Sequence, residues 1–377
     1  MSPAVRALAL ALVALAAGLA VGRFLTARGQ PGVAVSERAV SLVETITILE
    51  DQVSVDPGDA ATRQRLGVAY LQRAAEVGDP ALYTAANRVL REAEKLAPGN
   101  PRTITALGVL ALARHEFDDA LRLGLTAHAS DPFSADPLAV VVDAEVELGE
   151  YESAADHLQQ MLDLRPGLAA LSRTSYLREL HGDLEGAIEA MEQARLAGSG
   201  SVFDVALISA LSGNLMLLKG DLRGAETAFA EAARLAPDLS LAAVGDARVQ
   251  LAQGNLEEAA QGLSDSVERF PTPEAVILLA ETLAAQGRQA EADVRFDLVR
   301  TIARLQEDSG QVVDLEMARF EADHGDPARA LPLARKAYRS RPTVHAADTL
   351  GWALFRSGRP GAALPRIEEA LRLRSLD

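Results

Sequence analysis

The chain's best candidates for proton transfer or metal ligation near neutral pH are six histidines: His115, His128, His157, His181, His324 and His345. No two of them stand three or four residues apart, the spacing that would place both on one helix face around a metal. His-Gly-Asp occurs twice, at 181–183 and 324–326, and reads as a turn followed by an aspartate capping the next helix. Glu316, Asp323, His345 and Asp348 are the nearest approach to a mixed ligand set, but one histidine among carboxylates is a weak transition-metal signal. Paired carboxylates such as Glu257-Glu258 and Glu368-Glu369 read as solvated outer faces. There is no nucleophile elbow, zinc-protease helix, glycine-rich phosphate loop or calcium loop. With no cysteine, thiolate catalysis and disulfides are excluded. These residues predict neither an enzyme, a cofactor nor a resident metal.

The elements that carry these side chains set the rest of the reading. In 377 residues, 37 Lys+Arg face 53 Asp+Glu, a formal charge of -16. That balance argues against broad attraction to phosphate backbones, so no nucleic-acid partner is expected. Hydrophobic residues reach 49% with only 4% aromatic, a mixture of Ala, Leu and Val suited to close-packed helices.

From Ala7 to Gly22 run 16 uncharged residues between Arg6 and Arg23. As a helix they span about 24 Å, and Phe24 to Ala27 extend the run toward a membrane crossing while Arg23 snorkels. The same run fits a secretory signal with small residues at Gly18, Ala20 and Gly22. Residues 1–30 are therefore expected to be a signal anchor or a cleaved signal peptide. The first places the remainder on the membrane in an extracytoplasmic position; the second secretes it.

Beyond this segment the chain repeats itself. Ala86, Ala120, Ala154, Ala187, Ala225, Ala259, Ala292, Ala330 and Ala363 are spaced by 34, 34, 33, 38, 34, 33, 38 and 33 residues. Five positions before the alanine, seven units have glycine; twelve after it, six have proline. The alanine lets two antiparallel helices approach, glycine ends the first, and proline stops the second. Leu66-Gly67 with Tyr70, Leu107-Gly108 and Leu350-Gly351 lie upstream in their units. This pattern resembles the tetratricopeptide repeat from about Asp59 to Leu376. The resemblance implies an all-α, right-handed α-solenoid of about nine helix pairs over residues 59–377, preceded by the N-terminal apolar helix and by a linker and capping helix within 31–58. Ser36 to Val55 reads as that lone amphipathic helix, shielding the first unit. Extra residues at Glu76 to Leu82 are expected to lengthen a helix connection, Gly198 to Ser201 replace a proline, and Arg300 to Asp308 prolong a helix. The last unit ends the chain without an extra cap, so its face must be polar or must touch another molecule.

The resemblance also implies a groove lined by the first helix of each pair. Its ninth positions read Val68, Val109, Asp143, Tyr176, Asn214, Arg248, Glu281, Arg319 and Trp352. From Asp143 onward the row is polar and of mixed sign, fit either for an extended peptide or merely for solvent. Glu316, Arg319 and Asp323 on one first helix, with His345, Asp348 and Trp352 on the next, complete the candidate partner-binding surface. The tryptophan is a hot-spot candidate that can equally pack between helices. The residues by which family members clamp a C-terminal carboxylate are absent. The segment from Asp314 to Trp352 resembles extracytoplasmic bacterial members of the family. The expected function is a non-catalytic scaffold binding a protein or peptide at the outer membrane face; the alternative is an accessory subunit of a transport or metal-handling system.

Overall fold

The computed structural model describes residues 41–197 and 202–375; the apolar run at 7–22 and the break at 198–201 lie outside them. A lead-in helix, α1 (Leu42–Val55), starts where Ser41 Oγ accepts the Glu44 N–H at 3.2 Å. Nine pairs follow: α2 (Ala60–Val77) with α3 (Ala81–Leu96), α4 (Pro101–Ala113) with α5 (Phe117–Ser130), and α6 (Asp136–Leu148) with α7 (Tyr151–Leu164). Next come α8 (Leu168–Leu180) with α9 (Leu184–Ala197), α10 (Val202–Lys219) with α11 (Leu222–Leu235), and α12 (Ser240–Gln253) with α13 (Leu256–Arg269). The last three pairs are α14 (Pro273–Ala285) with α15 (Gln289–Asp308), α16 (Asp314–His324) with α17 (Pro327–Ser340), and α18 (Val344–Arg356) with α19 (Pro360–Ala370). Among the described residues there is no strand.

The repeat positions do what their chemistry predicts. All nine register alanines are at most 1% exposed, because a larger side chain there would push the paired helices apart. Phe229, four residues after one of them, is wholly buried against two glycines; a Cβ on Gly245 would lie 2.1 Å from its ring. Where the same position is Gly124, Val141 takes the space, 2.8 Å from where a Cβ would stand. Six of the seven register glycines take a left-handed φ at the end of a first helix, from Gly149 at 82° to Gly358 at 73°. Gly325 is the exception, with φ -128°.

Two local expectations change. The extra residues near Glu76 prolong α2 to Val77 instead of lengthening the connection, which is only Gly78 to Pro80. The final unit is not left bare. Leu373 packs against the core cluster of units three and four, and Arg372 lies over the Tyr151 ring at 5.5 Å. The end of the solenoid thus meets its own earlier turn.

That meeting is systematic. The turn inside each of units one to four abuts a connection about 194 residues later, one superhelical turn on. A Cβ on Gly78 would be 3.0 Å from Thr272; on Gly149, 3.0 Å from the Pro342 carbonyl; on Gly182, 2.5 Å from that of Arg374. At the second unit the contact becomes hydrogen bonding. The Val312 N–H donates to the Arg114 carbonyl at 2.9 Å, and the Gln311 amide donates to that of Ala113 at 3.0 Å. At the third, the Val344 N–H donates to Tyr151 Oη at 3.1 Å. Successive turns are therefore stacked in contact, and the groove expected from the repeat is walled in part by the adjoining turn.

Candidate functional site

Stacking the turns forms a partly open chamber of ≈ 260 Å³ between them. Its walls come from units one and two and from units five to eight, so no run of consecutive repeats could form it. Most of the lining is apolar: Phe203, Leu207, Ile277, Val299, Met317 and Phe320 are representative. The charged lining is Glu76, Glu274, Glu281 and Glu316 against Arg248, with His115 beside them.

Arg248, 5% exposed, donates from Nη2 to Glu274 at 2.7 Å, while its Nε and Nη1 are buried without a partner. Glu316 lies 3.3 Å from Arg341 and 3.7 Å from His115, and its Oε2 is buried without a partner. Gln311 leaves Oε1 in the same condition. Leaving such groups unmet costs about 1–3 kcal/mol each in a protein interior, so their collection around one cavity is a recognition signal. Glu281 sits 3.0 Å from His324 Nε2. Burial raises the Glu76 carboxyl above its ordinary range, against the lowering effect of Arg73.

Behind the chamber wall lies an ionised seam between turns. Arg341 bridges Glu147 at 3.2 Å and Glu316 at 3.3 Å and stands 5.0 Å over the Phe117 ring. Burial pushes Glu147 up to about 7 despite Arg341, with Glu316 and Asp143 adding repulsion. His115 Nδ1 is 2.7 Å from the Val312 carbonyl, so it carries the proton and donates. Burial holds the His115 pKa below its usual value, outweighing Glu316. His345 is driven to about 4 by burial and by the charges of Arg319 and Arg341, and its Nε2 is buried without a partner.

The structure sorts the candidate row. Arg248, Glu281 and Glu316 line the chamber together; the others do not. Asp143, 6% exposed, accepts a two-pronged bond from Arg173, 2.7 Å from its Nε, in the core between units three and four. Burial raises its pKa and Arg173 opposes the shift. Asn214 is 4% exposed with both amide atoms unpartnered. Tyr176 packs between two core clusters. Arg319 is half-buried and Asp348 exposed. Trp352 donates to Asp323 at 2.7 Å and stacks on Phe355. Among the described residues no group of three or more His, Asp or Glu could hold a metal, the set Glu316, Asp323, His345 and Asp348 included.

Glu76, Glu274, Gln311, Glu147 and Arg341 were not singled out from the sequence as site residues, and His115 was named only as one of six histidines. For one of them a signal was present. His115 occupies the register place of glycine in unit two and takes φ 58°, a left-handed conformation uncommon outside glycine. A bulky residue kept there is held by something, which proves to be the next superhelical turn.

The tetratricopeptide repeat family model matches residues 142–201, 247–292 and 315–377. Over these segments the chain carries tetratricopeptide repeats, and its nine helix pairs keep the same register. No curated protein matches it. Among solved structures it is similar to the human IFIT1 dimer with m7Gppp-AAAA, at TM-score 0.54 and 15% identity, covering 88% of this chain and 78% of that one. The human IFIT1 dimer with PPP-AAAA gives TM-score 0.53 and 15% identity over 88% and 79%. A tetratricopeptide repeat protein from Parabacteroides merdae gives 0.44 and 19% over 71% and 99%. The expectation that nucleic acid is excluded as a partner is corrected by the first two, which hold RNA oligonucleotides in this fold. Net charge is a sum over the whole surface and does not by itself describe any one binding surface.

One described helix, α10, is long and apolar enough to cross a membrane, but 61% of its window is buried within the solenoid, as in a core helix.

Proposed function

We propose that the protein is a non-catalytic scaffold that receives an extended segment of a partner protein in the chamber between its turns. The observation that carries this reading is Arg248, buried on the chamber wall with two donor nitrogens, Nε and Nη1, lacking acceptors, amid apolar lining. A peptide supplies what is missing: carbonyl acceptors along its backbone and apolar side chains for Ile277, Met317 and Phe320. The fold of the family supports a binding role, and the apolar run at residues 7–22 supports tethering at the outer face of a membrane.

The test is a photo-crosslinking side chain placed in the full-length, membrane-expressed protein at Ile277 or Met317 in the chamber, or at the exposed Arg223 on α11. Peptide adducts recovered from the two chamber positions and not from Arg223 are the expected result. Adducts from Arg223 alone would place binding on the outer face and refute the chamber.

A further inference from the structure

We infer that the segment taken by the chamber is basic: an apolar stretch of a partner protein carrying a lysine or arginine, whose cation meets Glu316 and Glu281 while a backbone carbonyl meets Arg248. This rests on the chamber being the binding site, and adds the chemistry of what enters it.

The unmet polar atoms on the wall are of two kinds. Arg248 Nε and Nη1 are donors; Glu316 Oε2 and Gln311 Oε1 are acceptors. An occupant must therefore bring both an acceptor and a donor, joined by an apolar body that fits against Phe203, Leu207, Met317 and Phe320. A wholly apolar segment offers Arg248 a backbone carbonyl and Gln311 a backbone N–H, but brings no cation to the Glu316 carboxylate. A segment bearing a carboxylate would reach Arg248 only beside Glu274, which already neutralises it at 2.7 Å.

Charge points the same way. Four glutamates line the chamber against one arginine, and that arginine is spoken for by Glu274. Arg73 lies 3.0 Å from Glu76, whereas Arg341 is divided between Glu316 and Glu147. Glu281 faces His324, a cation only when protonated. The surplus is negative on a mostly apolar, partly open lining, where a charge-assisted bond from a lysine or arginine is favoured. The net charge of -16 steers a basic segment toward the chain from a distance. Size agrees: a cavity on the order of 150 Å³ holds benzene, so ≈ 260 Å³ holds one long side chain with its flanking backbone.

The experiment is fluorescence anisotropy of the full chain with an eight-residue apolar peptide carrying one central lysine, and with glutamine or glutamate in its place. The lysine peptide is expected to bind at least tenfold more tightly than the glutamine peptide, with glutamate weakest. Glu281→Gln or Glu316→Gln should erase the preference for lysine, and Arg248→Met should weaken all three peptides alike. Because Glu316→Gln also releases Arg341, helical content is followed by circular dichroism, and Glu281→Gln, remote from Arg341 in its pairing, carries the decision if the first variant melts. Binding indifferent to the central charge overturns the basic segment while leaving the chamber as a peptide site. No binding of any peptide overturns both. Displacement of the lysine peptide by an m7Gppp-AAAA oligonucleotide, with tighter binding of that oligonucleotide, overturns the peptide in favour of RNA.

Discussion

Replacing Glu147 by glutamine separates the electrostatics of the seam from its packing. Glu147 has a side chain only 12% exposed, shares Arg341 with Glu316, and has its pKa pushed up to about 7 by burial. In an unfolded chain the same group titrates near 4.5. Between those values the folded state binds the proton and the unfolded state does not, so stability falls as pH rises through this window and levels off above it. The difference of about 2.5 units corresponds to at most about 3 kcal/mol. Nearby histidines act oppositely. His345, driven to about 4, stays neutral in the fold while an unfolded histidine takes a proton below about 6.5, so its contribution is lost on acidification. His115, also lowered, behaves likewise. The wild-type curve is therefore a dome, and the informative quantity is the variant's stability minus that of the wild type. At pH 5 the folded glutamate is protonated and resembles glutamine, so the difference should be small, about 1 kcal/mol. It should grow in favour of Glu147→Gln up to pH 8, reaching about 2–3 kcal/mol. Urea unfolding of the full chain at pH 5, 6, 7 and 8, followed at 222 nm, measures it. A variant equally or less stable at pH 8 would mean that the Arg341 pairing outweighs burial and that the seam is an ordinary salt bridge.

Three further perturbations probe the same architecture. Gly245→Ala puts a Cβ 2.1 Å from the Phe229 ring and should cost about 1–3 kcal/mol by overpacking, with Phe229→Leu restoring part of the loss in a melting curve. Asp143→Ala removes the carboxylate facing Arg173, itself 5% exposed, and should cost about 3–5 kcal/mol, whereas replacing both by leucine should recover most of it. Gly149→Val forces a β-branched residue to φ 82° and to within 3.0 Å of the Pro342 carbonyl; the two turns should part, seen as a larger radius of gyration in X-ray scattering with helical content unchanged. An unchanged radius there would show that the turns hold together without this contact.

The helix pairs were legible in the sequence because their causes are local. A small residue where helices cross, a glycine where the first ends and a proline where the second stops each act within one unit, and nine units repeat the signal. Buried polar residues were less so: Asp143 and Arg248 occupy the same repeat position, yet one is locked in the core by Arg173 and the other faces a cavity. No spacing rule distinguishes them, since the partner lies on another helix whose distance depends on packing.

What the chain alone determined, then, is an α-solenoid of helix pairs with its register and its departures. What only the tertiary structure decided is the tight superhelical turn of about 194 residues that brings Val312 to Arg114 and Val344 to Tyr151. That pitch sums small rotations between successive pairs, each set by side-chain volumes at one interface. An error of a few degrees per pair leaves every helix in place but parts the turns. The chamber, the seam and the unmet groups of Arg248, Gln311 and Glu316 exist only at the closed value, so no local pattern could announce them.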